Sequence, residues 1–263
     1  MHRLDHQGEF YSVQGPLNIS RSPQGQPVLI QAGASEAGKE FASRHAELIF
    51  TTSGTLTGAV GFYDDVKGRA LRHGRRAEEI HILPGCAPVV GGTDAEAEAK
   101  YEETCSLVSI DDALNYLGRY FNDIDFTRFE LDEQFPELGD FARNGWESST
   151  DRLKQMAREE KLTLRQMANR ATNPRSPFMG TPERVADIMQ EWFESGAADG
   201  FMLNGSVLPQ GFDDFIDHVL PILKQRGLFR TEYESTTLRG NLGLAVPPNR
   251  YVRQMVGSTA ADG

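Results

Sequence analysis

The sequence predicts an α/β protein built on a parallel β-sheet and forming one large domain. Short apolar segments alternate with longer segments whose apolar residues recur at helical spacing, a pattern typical of strands followed by helices. Units of this kind form either a parallel barrel or an open parallel sheet. The length of 263 residues and the hydrophobic content of 39% suit one large domain with a well-buried core.

The predicted elements follow in order along the chain. Residues 9–20 predict a short hairpin that turns near Gly15 and Pro16. Strand-and-helix units come next, at 28–33 with 35–45, 46–51 with 55–73, 80–84 with 94–108, and 198–204 with 211–226.

Capping residues mark several helix boundaries. Thr93 and Glu96 have the spacing of a capping box at the start of the third helix. A further helix over 182–195 precedes the fourth strand, with Thr181 as its N-cap and a proline at its first position. Pro221 is expected to kink the last helix, because proline cannot donate the backbone hydrogen bond.

Residues 109–180 form a long insertion before the fourth strand, and we expect it to act as a lid or a substrate wall. It contains predicted helices near 151–160 and after a capping box at Thr163 and Gln166. Three of its aromatic residues are expected to pack on an aromatic substrate or on the barrel: Phe121, Phe126 and Phe129. Irregular spacing favours a solvated loop face over a metal cluster for its acidic residues: Asp123, Asp125, Glu130, Asp132 and Glu133.

The segment VLIQAGASEAGKE, residues 28–40, is the most informative part of the chain for function. An apolar strand runs into a turn of small residues and then a helix, so that backbone N–H groups at the helix N-terminus can bind an anion such as phosphate. Gly33 opens the turn and Ser35 is the predicted N-cap. One interpretation is a phosphate site for a flavin or a similar cofactor. Another is an ordinary strand-to-helix turn with a capping serine.

A third interpretation, a P-loop for a nucleoside triphosphate, agrees with the sequence only in part. Gly33, Gly38 and Lys39 have the G-x-x-x-x-G-K spacing. The next position should carry a hydroxyl for magnesium, but it is Glu40, whose carboxylate would repel the phosphates. The following strand ends in Thr51 rather than in an aspartate. The sequence therefore disfavours this interpretation.

Charge and cysteine content argue against several other classes. The net charge of −11 argues against a nucleic acid or an anionic membrane as partner, and the basic stretch 67–76 is interpreted as a solvated helix end. Cys86 and Cys105 are interpreted as buried, inert thiols, and no metal site is predicted from the histidine spacing. No apolar run is long enough to span a bilayer and the N-terminus is unlike a signal peptide, so we expect a cytoplasmic protein.

Separated segments of the chain, in the right order, resemble one known family. They are VLIQAGASEAGKEFASRHAELIFT, HILPGCAPVVGGTDAEAEAKYEE, TPERVADIMQEWFESGAADGFMLN and VLPILKQRGLFRTEYESTTLRGNLGLAVPPNRY. The sequence resembles the nitrilotriacetate and dibenzothiophene-sulfone monooxygenases, a branch of the luciferase-like flavin monooxygenases, over nearly its whole length.

This resemblance implies a luciferase-like TIM (β/α)8 barrel and an FMNH2-dependent monooxygenase that inserts oxygen into a small organic or xenobiotic substrate. Such enzymes use reduced FMN supplied by a separate NAD(P)H:flavin reductase, with O2 as co-substrate. The resemblance implies that Gly33, Ala34 and Ser35 hold the FMN phosphate, with the hydroxyl of Ser35 as a ligand. It identifies neither the catalytic residues nor the substrate.

The resemblance also implies that the chain is the C-terminal half of such a barrel, in a truncated or split-gene form, because four units can be placed where a closed barrel has eight. We expect one partial barrel domain over 1–263, with the insertion 109–180 and a C-terminal extension 228–263 around the outside. Because a half-barrel exposes sheet edges, we expect a homodimer or a complementing N-terminal half, and little activity from the chain alone. The alternative is a non-catalytic half-barrel that binds flavin phosphate or a partner chain.

Overall fold

The computed structural model describes residues 3–16, 18–138 and 147–249. Its strands are β1 (His6–Gln7), β2 (Ser12–Val13), β3 (Ile30–Ala32), β4 (Leu48–Thr51), β5 (His81–Cys86), β6 (Val89–Val90), β7 (Met179–Gly180) and β8 (Met202–Leu203). Its α-helices are α1 (Glu36–His45), α2 (Leu56–Arg72), α3 (Asp94–Ser106), α4 (Ile110–Arg119), α5 (Glu147–Glu159), α6 (Leu164–Thr172), α7 (Pro182–Glu194), α8 (Gln210–Asp214), α9 (Leu220–Gln225) and α10 (Leu238–Asn241). None of the helices within these ranges is long and apolar enough to cross a membrane.

Strands β3, β4, β5 and β8 form a parallel sheet in that order. The register places Ile30 opposite Leu48 and Gly85 opposite Met202. The parallel α/β sheet predicted from the alternation of strands and helices is therefore confirmed, although β3, β4 and β8 are shorter than predicted. Because the carboxyl ends of parallel strands lie along one edge, the turns that follow these strands are brought to the same edge of the sheet.

Helices α1 and α2 cover one face of this sheet through an apolar core. Ile49 of β4 and Ile82 of β5 are fully buried there, and each buried side chain of this size contributes about 1.5–3 kcal/mol. The helices meet them with small or branched residues: Ala42, Ala46, Val66 and Ala70. Small residues let α1 lie close to the sheet, which fixes the position of the turn that begins this helix.

Helix α7 has the predicted boundary and the predicted apolar face. The Arg184 N–H donates to the hydroxyl of Thr181 at 3.3 Å, and a proline occupies the first turn. Val185, Met189 and Trp192 are buried in a second core shared with the helices that follow β8. This packing places β8 beside β5.

The insertion contains a helical unit, α4 to α6, with an apolar core of its own. The capping box at Thr163 and Gln166 is confirmed in full. The expectation for the phenylalanines is wrong for Phe121 and Phe126, since both are buried in this core, with ring centroids 5.6 Å apart. Both rings pack among the residues of α4 to α6, because the helical unit needs them to build its own interior.

Two sequence expectations near turns need correction. The hairpin turns between β1 and β2, where the Gly8 N–H donates to the Tyr11 carbonyl at 3.0 Å, and not near Gly15 and Pro16. Proline has no N–H for strand pairing, so that dipeptide follows the second strand. At α3 the Glu96 N–H donates to the Thr93 hydroxyl, but the Glu96 carboxylate accepts from Gly92 N and leaves the capping box incomplete.

The last predicted helix is interrupted before Pro221. A π-helical segment, Phe215–Val219, separates α8 from α9. Proline cannot donate to the preceding turn, and a wider turn next to it is a known way for a helix to adjust. The disturbance expected at Pro221 therefore lies in the residues just before it.

The described part of the C-terminal extension packs at the amino ends of the sheet strands. Arg239 of α10 is 1% exposed and forms an ion pair with Glu47, which directly precedes β4. The Leu242 carbonyl lies 2.9 Å from Nε2 of His81, the first residue of β5. Residues 250–263 lie outside the described residues, so a wrapping role for the whole extension 228–263 stays a prediction, as does the division into domains.

Candidate anion-binding site

The turn after β3 has the geometry predicted for the start of a helix. Ser35 is extended, with φ −67° and ψ 158°, and its hydroxyl accepts from the Gly38 N–H at 3.1 Å. The Lys39 N–H donates to the Ser35 carbonyl at 2.8 Å. A helix gives the N–H groups of its first residues, here Glu36 and Ala37, no acceptor within the helix, so they are available at the surface of this exposed turn. The predicted N-cap is confirmed.

Small residues keep this turn close to its neighbours. A Cβ on Gly38 would lie 3.1 Å from the Ser35 hydroxyl, so the absence of a side chain there leaves room for the capping oxygen. A Cβ on Gly33 would lie 2.9 Å from Nε2 of Gln31. The Gln31 amide therefore lies directly against the turn.

Gln31 also has unused hydrogen-bonding capacity. Its Oε1 is one of the buried side-chain oxygen and nitrogen atoms that lack a hydrogen-bond partner among the described residues. Buried polar atoms are normally paired, so an unpaired one beside an exposed turn is consistent with a polar ligand or a water molecule at that position.

A network of charged side chains lies on the outer side of the turn, between α1 and α2. The Lys39 ammonium lies 2.5 Å from a carboxylate oxygen of Glu36 and 2.5 Å from one of Asp65. The Arg69 guanidinium lies 2.5 Å from Glu36 and 2.7 Å from Asp65. Hydrogen bonds from Arg69 and then Lys39 lower the pKa of Asp65 to about 2. Both carboxylates of the network are therefore ionised at neutral pH.

These contacts disfavour the P-loop interpretation further. Lys39, which would reach the phosphates of a nucleotide, is instead held by Glu36 and Asp65. Glu40, at the position that should bind magnesium, accepts from Arg44 at 2.9 Å and lies 2.9 Å from His73 Nε2. The side chains of Lys39 and Glu40 thus form contacts between α1 and the α2 region, through Asp65 and His73.

The basic stretch 67–76 is not simply a solvated helix end. Lys67 is 8% exposed, and its ammonium donates to the Ala77 and Ile80 carbonyls and lies 2.9 Å from the carboxylate of Asp199. That carboxylate also accepts from the Ile82 N–H at 2.8 Å. Lys67 is buried because it links α2, β5 and the residues before β8, which lie far apart in sequence.

The cysteines differ in burial. Cys86, at the end of β5, is fully buried, and burial raises the pKa of its thiol well above the usual range. The prediction of an inert thiol is confirmed for Cys86, because the reactive thiolate is disfavoured there. The interpretation of Cys105 as a buried residue is wrong, since its side chain is only partly buried.

Further polar residues lie at the carboxyl edge of the sheet, and the sequence interpretation passed over them. The turn after β4 has Ser53, and Thr55 caps α2 by accepting from the Gly58 N–H at 3.2 Å. Thr55 and Gly58 have the same spacing as Ser35 and Gly38, so the sequence already contained a signal for this second cap. After β8, the Asn204 N–H donates to the Cys86 carbonyl at 2.8 Å.

Cavities lie elsewhere in the fold. One of about 220 Å³ lies between α3 and the loop after β8, where Lys100 pairs with Asp214 at 2.9 Å. Another of about 310 Å³ lies between α7 and α9 and is mostly apolar. Within the described ranges, no group of three or more His, Cys, Asp or Glu side chains is placed to hold a metal ion. The acidic residues predicted to form a solvated loop face are exposed, and Asp125 and Asp132 pair with Arg128 and Arg165.

The fold and the turn define a class of protein: a parallel α/β protein with a helix N-terminus exposed at the carboxyl edge of its sheet, where such proteins bind anions. The family can be named more closely. Residues 1–199 match the luciferase-like monooxygenases, and the chain belongs to that family.

Characterised relatives agree with this assignment. The chain is 44% identical to N-acetyl-S-(2-succino)cysteine monooxygenase of Bacillus subtilis (strain 168), over 96% of this chain and 58% of that protein. It is 44% identical to nitrilotriacetate monooxygenase component A of Aminobacter aminovorans, over 96% of this chain and 56% of that protein. It is 37% identical to dibenzothiophene-sulfone monooxygenase of Rhodococcus erythropolis, over 94% of this chain and 55% of that protein. The resemblance seen in the sequence is confirmed.

Solved structures show the same fold. DmoA from Hyphomicrobium sulfonivorans matches with a TM-score of 0.76 and 32% identity, covering 93% of this chain and 51% of that chain. A riboflavin lyase, solved with modified FMN and its substrate riboflavin, matches with a TM-score of 0.72 and 32% identity, covering 95% of this chain and 54% of that chain. The chain thus spans a little over half the length of the relatives and structures that it matches.

Proposed function

We propose that the protein takes part in an FMNH2-dependent monooxygenase reaction and that Gly33, Ala34 and Ser35 hold the phosphate of the flavin. The observation that carries this proposal is the exposed N-terminus of α1, with its serine cap and free first N–H groups, in a chain of the luciferase-like monooxygenase family. Relatives at 37–44% identity are named monooxygenases, which supports the reaction type.

The residues of the turn fit a phosphate ester that also carries hydroxyl groups. The N–H groups of Glu36 and Ala37 and the hydroxyl of Ser35 are donors suited to phosphate. The unpaired Oε1 of Gln31, against Gly33, is an acceptor suited to a hydroxyl group. The modified FMN in the related riboflavin lyase supports a flavin as the ligand.

In the proposed reaction the chain binds and orients, while the cofactor carries the redox chemistry. Reduced flavin, when bound, would supply the electrons that activate O2 for oxygen insertion. The exposed turn anchors the phosphate end of the cofactor, and Ser53 and Asn204 lie in the turns after β4 and β8, at the same edge of the sheet. We propose that the sheet forms part of a (β/α)8 barrel, whose catalytic sites lie at this edge.

The proposed partners are a small-molecule substrate and an NAD(P)H:flavin reductase. The name "component A" of the Aminobacter aminovorans relative supports a system with more than one component. The relatives' names refer to a succinocysteine derivative, an aminopolycarboxylate and an aryl sulfone, which share no single scaffold. The proposal therefore specifies the reaction class and the cofactor, and assigns the substrate only to small organic molecules.

The second candidate is a non-catalytic protein that binds flavin phosphate or a partner chain. One observation favours it: β3 lies at an edge of the described sheet, and Leu29 and Ile30 there are 45% and 55% exposed. Apolar residues at an unpaired edge are suited to pairing with another chain. Oxygen-dependent turnover of a substrate with supplied FMNH2 would support the enzyme over this alternative.

Titration of the Ser35→Asp variant with FMN and with riboflavin tests the phosphate site. Aspartate caps helices as well as serine does, so α1 should be retained, while the added charge repels phosphate. We expect FMN binding to weaken by more than about tenfold, since an unfavourable charge contact at short range exceeds 1.4 kcal/mol. Riboflavin, which lacks the phosphate, should bind as it does to the wild type.

Thr163→Asp is the control, because Thr163 caps α6 by accepting from the Gln166 N–H, within the helical insertion. It should leave both affinities unchanged. Unchanged FMN binding to Ser35→Asp would refute the assignment of the phosphate to this turn.

A further inference from the structure

Glu36 presents an electrostatic problem for the proposed phosphate site. It is the first residue of α1 and directly follows Ser35. A carboxylate in the first turn is attracted to the helix N-terminus, and it would compete there with a bound anion or repel it. A neutral residue at this position would avoid the conflict, so the contacts of Glu36 determine whether the turn can accept a phosphate.

The Glu36 carboxylate is held by two cations instead of by the helix N-terminus. One oxygen lies 2.5 Å from the Lys39 ammonium, and the other lies 2.5 Å from the Arg69 guanidinium. Hydrogen bonds from Lys39 and then Arg69 lower the pKa of Glu36. Its charge is therefore present and directed toward α2.

The cations are anchored independently of Glu36. The side chains of Lys39 and Arg69 are only 14% and 15% exposed, whereas that of Glu36 is 75% exposed. Asp65 of α2 binds both cations, at 2.5 Å from Lys39 and 2.7 Å from Arg69. The cations are thus fixed by packing and by Asp65, and Glu36 is the solvent-exposed member of the network.

We propose that Arg69 and Lys39 are positioning residues that hold the Glu36 carboxylate away from the turn, so that the site accepts the phosphate of FMN and prefers FMN to riboflavin. This inference rests on the proposed function. Arg69 comes from α2, so the preference for a phosphorylated flavin depends on the packing of two helices and not on the turn alone.

A double-mutant cycle with Arg69→Gln and Glu36→Gln tests the inference. Arg69→Gln frees part of the Glu36 charge, and we expect about fivefold weaker FMN binding, the factor that corresponds to roughly 1 kcal/mol at a helix N-terminus. Riboflavin binding should not change. Glu36→Gln in the Arg69→Gln background should restore FMN affinity to within about twofold of the wild type, because the repelling charge is then absent. The loss in Arg69→Gln should also shrink at high salt, since exposed charges are screened.

Arg226→Gln is the matched control, because Arg226 pairs with Asp187 at 2.6 Å with a 29% exposed side chain, far from the turn in the fold. Equal weakening of FMN and riboflavin by Arg69→Gln, or no rescue by Glu36→Gln, would overturn the positioning role and leave the phosphate site intact. Equal affinity of the wild type for FMN and riboflavin would overturn the phosphate site, and the positioning role with it.

Discussion

The buried ion pair between Arg239 and Glu47 should hold the C-terminal segment to the sheet, and Arg239→Met tests this. Arg239 Nη1 lies 2.5 Å and Nη2 2.8 Å from the two Glu47 oxygens, and Nη2 also reaches the Pro27 carbonyl at 3.3 Å. Methionine would keep much of the apolar contact but leave Glu47, 15% exposed, with the Leu29 N–H as its remaining hydrogen-bond donor among the described residues.

The expected loss of stability is about 3–5 kcal/mol, the range found when one partner of a buried pair is removed. With a denaturant slope of roughly 3 kcal/mol per M urea for a protein of this size, the unfolding midpoint should fall by more than about 1 M. Equilibrium urea unfolding followed by circular dichroism measures this shift. Arg226→Met, which breaks a more exposed pair with Asp187, should cost only about 0–1 kcal/mol.

The loss should depend on pH in a defined direction. Burial tends to raise the pKa of Glu47, but hydrogen bonds from Arg239 and the Leu29 N–H outweigh it, and the net pKa is lowered. A lowered pKa in the folded state stabilises the protein above the unfolded pKa, and the contribution is lost as pH falls through the folded value. The penalty of Arg239→Met should therefore be smaller in acid than at pH 7.

Glu47→Gln combined with Arg239→Met should recover part of the loss, since no buried charge is then left unpaired. A loss of unfolding free energy in Arg239→Met no larger than that in Arg226→Met at neutral pH would contradict a stabilising role for the buried pair.

Two further predictions concern packing and reactivity. Gly91→Ala should destabilise the protein by more than about 2 kcal/mol, because a Cβ there would lie 2.5 Å from the Ala97 nitrogen. Gly61→Ala should instead stabilise α2 by roughly 0.5–1 kcal/mol, because a Cβ at that position has no atom within contact distance. Thermal unfolding would measure both effects, and an unchanged stability of Gly91→Ala would contradict the close packing at Gly91. Native-state alkylation followed by mass spectrometry should modify Cys105 well before Cys86, because Cys86 is fully buried with a raised pKa; faster modification of Cys86 would show that its burial is wrong.

The sequence predicted the elements that local signals define. The α1 boundary followed from Ser35 and the glycines around it, and α7 followed from Thr181, a proline and a regular apolar face. Helix α4 was missed, although Ser109 and Asp112 offer a capping signal, because the predicted third helix extended to residue 108 and no break was expected so soon after it. Local rules place helix starts well and separate adjacent helices poorly.

Contacts between segments that are distant in sequence could not be predicted from local sequence patterns. Lys67 lies in a basic stretch that looks solvated, and its burial depends on Asp199 and on carbonyl groups near β5. The parallel pair of β6 and β7 joins residues well before the insertion to the last two residues of the insertion, and each strand has only two residues. The ion pair of Glu36 with Arg69 likewise depends on the packing of α2 against α1, which no local sequence pattern indicates.

We propose that the first N–H groups of α1 bind the phosphate of a flavin. Two-dimensional ¹H–¹⁵N NMR of the ¹⁵N-labelled protein, titrated with FMN and separately with riboflavin, tests it most directly. We predict that the amide signals of Glu36 and Ala37 shift with FMN and not with riboflavin. If these amides stay in place while FMN binds elsewhere, the claim is contradicted.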